Sequence, residues 1–285
     1  MVTQEPLLEQ VRDLMVRGAK RQIRFGDEDL TEMIAAGNVF ISAAHGRPMG
    51  MLAVSPEVPA PSLPDDAPQR VYMAGAAFAQ GASPSAESTR LVQAWKGTSP
   101  HARRTLIAYA EEPWLERALE FAGPSPVQTV VYYVLQFLGH QAATWSAAGP
   151  AFLRPATINE LDAVAMLDAQ SFDLLWHMTV RDLHSLLFQG RMQLAFEHGH
   201  LIGYSATTLR GSSVYISRLA VHPDWQGHGI GRQLMVDALV SGLEMGCTEA
   251  MLNTQSNNAR GQRLYHSLGF RPTGAQFIVL TMDAP

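Results

Sequence analysis

Residues 214–221 (VYISRLAV) are β-branched and half apolar, and they lead through the turn His222-Pro223-Asp224-Trp225 into Gln226-Gly227-His228-Gly229-Ile230-Gly231. An amphipathic stretch follows from Arg232 to Met245. Strand, glycine turn and helix in this order aim the unpaired N–H groups of a helix's first turn at the space before the glycines. Glycines without Cβ let the main chain adopt φ > 0 and let a phosphate come close to the backbone. The plain alternative is an ordinary glycine-rich turn between a strand and a helix.

Phosphate-binding loops of this kind come in several forms. A dinucleotide fingerprint needs G-x-G-x-x-G directly after the strand. Gly227 and Gly229 begin that pattern, but Arg232 stands in the third glycine's place. A P-loop needs Gly-Lys-Ser/Thr, and no lysine occurs between positions 151 and 285. The loop is similar to the Q/R-x-x-G-x-G/A signature of the GNAT acetyltransferases, which Gln226, Gly229 and Gly231 match in full.

A second motif supports that resemblance. Asn258-Ala259-Arg260-Gly261-Gln262-Arg263-Leu264-Tyr265-His266-Ser267-Leu268-Gly269-Phe270 resembles the family's N-x-x-A-x-x-L-Y-x-x-x-G-F, with Gly261 where alanine is usual. Packing alone explains part of it. Leu264 and Leu268 form an i, i+4 core stripe, Gly269 ends the helix and Phe270 anchors the core. It does not explain an amide and a phenol at fixed spacing beyond a matching glycine loop, with a strand-like run at 249–254 between them.

What the resemblance implies is an acyl-CoA-dependent N-acyltransferase, transferring acetyl from acetyl-CoA to an amine of a small molecule or peptide. Its implied fold is α/β (α+β): two tandem domains, each a mixed, mostly antiparallel central sheet flanked by helices. Gln226, Gly227, His228, Gly229, Ile230, Gly231 and Arg232 would cradle the coenzyme's pyrophosphate. Backbone groups of Leu219, Ala220 and Val221 would hold pantetheine and the thioester carbonyl, where the two central strands splay apart. Asn258 would bond the coenzyme arm, and Tyr265 would be the general acid toward the departing thiolate. Acceptor contacts would come from residues 172–179 (FDLLWHMT), where Phe172, Trp176 and Met178 either line a pocket or pack in the core. The rival reading is a non-catalytic acyl-CoA sensor or scaffold. O-acylation and longer acyl donors stay open.

The general base is less legible. Residues 214–221 contain no Asp or Glu; their polar members are Tyr215, Ser217 and Arg218. Glu197, His177 and His222 are candidates, each also readable as a solvated surface group. His198 and His200 flank a hairpin turn. The histidines lack a third partner at ligand spacing, so no metal site is expected.

The chain also contains one pattern twice. Leu30, Gly37, His45, Gly46, Gly50 and Ala53 lie 153 positions before Leu183, Gly190, His198, Gly199, Gly203 and Ala206. Val71 and Tyr72 lie 143 before Val214 and Tyr215, and Arg117, Gly123 and Pro126 lie 146 before Arg263, Gly269 and Pro272. The first change of offset coincides with a proline-rich stretch at 55–68, read as a surface loop. Each copy reads helix, helix, hairpin, strand, helix, strand, helix, strand, with residues 277–281 closing the second. In the second copy, 160–171 and 180–188 are helical by period, 192–196 and 202–208 form the hairpin, and 153–157 open as a strand. A small-residue stretch at 139–149 suggests domains 1–148 and 149–285.

The first copy lacks the chemistry. Opposite the glycine loop it has Ser83-Pro84-Ser85-Ala86-Glu87-Ser88, opposite Asn258 stands Glu112, and opposite Tyr265 stands Leu119. Proline removes an N–H and Glu87 would repel a phosphate. The first domain therefore reads as a non-catalytic partner packed on the second, with further self-association of whole chains allowed.

Charge excludes some partners. The 285-residue chain has a net charge of −5, from 12 basic and 15 acidic groups up to position 150 and 9 and 11 after it. Neither part has the basic excess that nucleic acid or an acidic membrane attracts. One cysteine, Cys247, forbids an internal disulfide and suits a reducing cytoplasm, as a buried small hydrophobe. No 18-residue apolar run is present, and the charged N-terminus is unlike a signal sequence. Nineteen arginines against two lysines suggest a G+C-rich bacterial source.

Overall fold

The computed structural model describes residues 4–25, 27–56, 68–98, 103–137 and 145–284. The elements, in order, are α1 (Gln4–Arg17), β1 (Lys20–Ile23), α2 (Asp27–Ala35), β2 (Val39–Ala44), β3 (Arg47–Pro56), β4 (Gln69–Phe78), α3 (Pro84–Gly97), β5 (Arg104–Ala110), α4 (Pro113–Leu119) and β6 (Ser125–Gln136). The second half follows with β7 (Phe152–Pro155), α5 (Leu161–Ser171), α6 (Val180–Gln189), β8 (Gly190–Glu197), β9 (His200–Arg210), β10 (Ser213–Val221), α7 (Ile230–Glu244), β11 (Glu249–Gln255), α8 (Ala259–Ser267) and β12 (Arg271–Ala284). The expected mixed, mostly antiparallel sheet flanked by helices is present. β4–β5 and β10–β11 pair in parallel, whereas β2–β3, β3–β4, β5–β12, β6–β11, β7–β8, β8–β9 and β9–β10 are antiparallel.

The duplication reaches down to backbone detail. Both hairpins turn on a His-Gly pair with φ > 0, at His45 (50°) and Gly46 (73°) and again at His198 (48°) and Gly199 (80°). That is the geometry a two-residue hairpin loop requires, because its twist must match the strands. The hairpin register shifts between Ser42 and Ala43 in the first copy and between Ala195 and Phe196 in the second, the same step 153 positions on. β1 is an addition of the first copy and pairs with β4.

The compact units are not the contiguous halves 1–148 and 149–285. Among the described residues, one takes in those of 4–56, 68–129 and 276–284, and the other those of 130–275. The small-residue stretch at 139–149 lies largely outside the described residues, as does most of the loop at 55–68, although β3 extends to Pro56. In the first unit the strands run β2-β3-β4-β5-β12, and in the second β6-β11-β10-β9-β8-β7. Residues 278–284 of β12 pair with β5, and residues 130–136 of β6 pair with β11. The segment 277–281 therefore does not close the second copy, as the repeat pattern suggests. It completes the first unit, and each unit takes its last strand from the other half of the chain. Either strand offers the same alternation of apolar residues, so sequence pattern cannot tell which neighbour it joins.

Each unit has its own core. Trp95, Leu91, Phe78, Leu106 and Leu115 centre one, with Leu280 and Met282 of β12 included. In the second unit α7 and α8 cover one group around Leu239, Met235 and Phe270, to which β6 contributes Tyr133 and Leu135. α5 and α6 cover the other, around Leu183, Met192, Leu194 and Tyr204. Cys247 is buried at the edge of the α7–α8 core. α5 starts from a short turn whose capping box joins Thr157 and Glu160. Arg154 bonds Glu160 and, with Thr157, holds its carboxyl down to about 2.

Candidate active site

The parallel ladder between β10 and β11 stops at the pair Ile216–Leu252. β10 runs on to Val221 with β9 on its other side, through pairs such as Leu219–Ser205 and Val221–Gly203. The strand ends diverge at that point, and two cavities open beside them. The larger, about 660 Å³, takes in Leu219, Ala220 and Val221, the glycine loop and the start of α8. The smaller, about 100 Å³, takes in Phe172, Trp176, Arg218 and the end of β11. Phe172, Leu219, Asn258 and Tyr265 line both. The backbone of Leu219–Val221 thus lies at the splay.

The glycine loop forms one wall of the larger cavity. Gly227 (φ 91°) and Gly229 (φ 85°) are left-handed, and a Cβ at Gly229 would project into open space. Gly229 is the N-cap of α7, whose first internal bond is Gln233 N–H to the Gly229 carbonyl. The preceding N–H groups of that first turn have no partner within the helix, and they carry its positive dipole end. Gln226 braces the loop: its Nε2 donates to the Val221 carbonyl at 3.0 Å and its Oε1 accepts from Arg260. Arg232 and Arg260 line the same cavity. His228 and Ile230 do not appear in its lining: the His228 ring tilts toward Trp225, and the Ile230 side chain is core.

Asn258 caps α8. Its Oδ1 accepts the Gly261 N–H at 2.9 Å, and its Nδ2 donates to Thr254 Oγ1 at 2.9 Å. This geometry explains the glycine at 261. A Cβ there would come within 2.6 Å of the Asn258 amide nitrogen. Tyr265, one turn further along α8, is buried against Tyr133 and Phe270 and its hydroxyl bonds Thr254. Burial pushes the phenol up to about 12, so it stays protonated at neutral pH.

The other wall is organised by a group that sequence reading did not assemble. A β-bulge at Ser217 separates the pairs Ile216–Thr207 and Arg218–Ala206. Strand alternation alone would put Arg218 on the same face as Val214 and Ile216, in the α7–α8 core. The extra residue turns it to the α5 side, where Ala220 also packs. There Arg218 meets Asp168, which is fully buried: Nε to Oδ2 at 2.7 Å and Nη2 to Oδ1 at 2.8 Å. The same carboxylate accepts Tyr204 Oη at 2.6 Å and Met178 N–H at 2.8 Å. Arg218 Nη2 also donates to the Trp176 carbonyl at 2.6 Å, and its guanidinium lies 3.5 Å from the centre of the Phe172 ring. One ion pair thereby ties residues 172–178 to the central strand. The one trace in sequence is a charge, Arg218, within an otherwise apolar and neutral strand; the bulge leaves none.

Phe172 and Trp176 line the smaller cavity, whereas Met178 packs in the α5–α6 core and is not part of the lining. None of the three candidate bases lines either cavity. His177 Nε2 bonds the Phe172 carbonyl at 2.8 Å, His222 Nδ1 accepts the Asp224 N–H, and Glu197 sits at the β8–β9 hairpin beside His198.

Comparison with known proteins places this geometry. The Acetyltransferase (GNAT) family matches residues 158–270. Thialysine N-epsilon-acetyltransferase of Bos taurus is 30% identical over 66 residues, 23% of this chain and 39% of that protein. A putative [ribosomal protein bS18]-alanine N-acetyltransferase of Bacillus subtilis is 26% identical, over 44% of this chain and 83% of that protein. The chain thus spans well under half of the bovine relative's length. Among solved structures, a tandem GNAT protein from the clavulanic acid biosynthesis pathway aligns with TM-score 0.62 and 17% identity, covering 99% of this chain and 96% of its own. A GCN5-related N-acetyltransferase from Sphaerobacter thermophilus aligns with TM-score 0.61 and 18% identity, covering 91% and 86%. Both motifs at the splay thus lie within residues 158–270, which match the Acetyltransferase (GNAT) family, and the fold of the chain is similar to that of a solved tandem GNAT protein.

Proposed function

We propose that this protein transfers an acetyl group from acetyl-CoA to an amine of a small molecule or peptide, at one active site in the second unit. The observation that carries the reading is the meeting of two cavities at Tyr265, one walled by the glycine loop and one by Phe172 and Trp176. The larger cavity fits a coenzyme: its volume is that of a ligand pocket, and the N-terminus of α7 and two arginines would face its diphosphate. Gln226, Gly227, Gly229, Gly231 and Arg232 would hold the pyrophosphate, with the N–H groups of His228 and Ile230. The N–H and carbonyl groups of Leu219, Ala220 and Val221 would take up the pantetheine arm as a further strand. Acetyl-CoA supplies the acyl group; Tyr265 gives a proton to the departing sulfur. Asn258 acts by fixing Thr254, which in turn bonds Tyr265, and it also lines the coenzyme cavity.

We infer that the first unit is not catalytic. In place of a glycine loop α3 begins at Pro84, and Glu87 in its first turn is buried. Beyond the last parallel β4–β5 pair, Tyr72–Ile107, the rings of Tyr72 and Tyr109 stack with centres 6.2 Å apart. We infer a bacterial, cytoplasmic setting from nineteen arginines against two lysines and a single unpaired cysteine.

A thiol-release assay with acetyl-CoA and a panel of amines, peptides and aminoglycosides tests the activity. Release coupled to acetylation of an amine is expected. Tight coenzyme binding with no release from any acceptor would contradict it and favour a binding scaffold.

A further inference from the structure

The smaller cavity carries information about the acceptor. Its charged lining residue is Arg218; the other polar members, among them Ser217, Asn253, Thr254, Gln255 and Tyr265, are neutral. The Tyr265 phenol stays protonated across the neutral range. The Asp168 carboxylate is outside the lining, with its oxygens taken by Arg218, Tyr204 and the Met178 N–H. His177 is turned to the Phe172 carbonyl, and neither Glu197 nor His222 reaches the lining. Among the described residues, then, no anionic group lines this cavity to pair with an ammonium ion, and the Arg218–Asp168 pair turns its cationic end to it. Moving a charge from water to such a place without a counter-ion is disfavoured, and a neighbouring like charge disfavours it further.

Resting on the acetyltransfer reading above, we propose that the acceptor is a weakly basic amine, an arylamine or an α-amine beside a carbonyl, bound uncharged between the Phe172 and Trp176 rings and the Arg218 wall. Alkyl ammonium ions of the lysine side-chain or polyamine kind are excluded. The chemistry balances without a carboxylate base. The neutral nitrogen forms its bond to the thioester carbonyl carbon as the C–S bond breaks. Tyr265 gives its proton to sulfur, and the proton shed by nitrogen restores the phenol, through water. Products are the amide and the free thiol.

An α-amine with pKa about 7.7–8.0 and a lysine amine with pKa about 10.4 differ about 200- to 400-fold in their neutral fraction at pH 7. The full chain, saturated with acetyl-CoA at pH 7, would be assayed with aniline, an amino-acid amide and Nα-acetyl-lysine amide. The better of the first two is expected to exceed the lysine derivative in kcat/KM by more than about 200-fold. The lysine derivative's kcat/KM should rise about tenfold per unit from pH 7 to 9, as its neutral fraction does. The double variant Asp168→Asn/Arg218→Met removes the pair without leaving a buried lone charge, and its discrimination should fall below the wild-type value. Arg218→Met alone exposes Asp168 to the cavity and should shift preference toward the lysine amine. If it does not fold, the wild-type comparison decides. A wild-type preference of 200-fold or less, or a preference for the lysine amine, overturns the inference alone. Coenzyme binding with no thiol release from any of the three amines overturns acetyltransfer and this inference with it.

Discussion

Tyr265 is where residue chemistry and packing are hardest to separate, because a buried ring against Tyr133 and Phe270 is also a good core residue. Phenylalanine keeps the ring and removes the proton. Tyr265→Phe is expected to leave the acetyl-CoA dissociation constant unchanged and to lower kcat by about 10²–10⁴, the range for a positioned acid. The loss should shrink with donors whose thiolate leaves easily. Since burial raises the phenol to about 12, its ionisation should not limit the wild-type rate below about pH 11. An unchanged kcat in the variant would reduce Tyr265 to packing. At this scale the sequence was informative about the loop glycines, Asn258 and Tyr265, which sit in contiguous motifs. It was silent on Asp168 and Tyr204, which reach Arg218 from positions 50 and 14 residues away. Such a group exists only once a bulge has turned one strand residue to the other face.

At the scale of elements, the helix starts of the second unit are written locally. Gly229 before α7 and Asn258 before α8 are residue types that suit an N-cap, and the helices begin there. The helix expected near Gly231 begins at Ile230, directly after a glycine N-cap whose left-handed φ lets the first turn form at once. Gly261 is a sharper case. Replacing a helix glycine with alanine ordinarily gains about 0.5–1 kcal/mol. Here the new Cβ would strike the Asn258 amide and displace the cap. A lost N-cap costs about 0.5–2 kcal/mol, and the Asn258–Thr254 bond about 1 kcal/mol more. Gly261→Ala should therefore destabilise the protein by about 1 kcal/mol in chemical denaturation. A clear gain in stability would show that the cap moves without cost.

The whole molecule is built so that neither half is complete. The repeat was legible from residue spacing, down to the paired His-Gly turns. The exchange of last strands was not, because β6 and β12 carry equivalent patterns. A fragment 149–285 would lack β6, leaving β11 as an open sheet edge and removing Tyr133 and Leu135 from the core. Each of those side chains contributes about 1.5–3 kcal/mol by burial, and an exposed hydrophobic edge invites aggregation. The fragment is expected to be insoluble or unfolded alone and to be rescued by co-expression with 1–148, as circular dichroism and sedimentation would report. A folded, active 149–285 fragment would contradict the exchange.

One measurement reaches the centre of this account: calorimetric titration of acetyl-CoA into the full chain and into its Gly229→Glu variant. Glutamate at that position would place a negative charge in the open space before the α7 N-terminus, at a φ of 85° that side chains rarely adopt. One coenzyme per wild-type chain is expected, with binding lost in the variant and its far-UV spectrum retained. Two coenzymes per chain, or equal affinity in the variant, would contradict it.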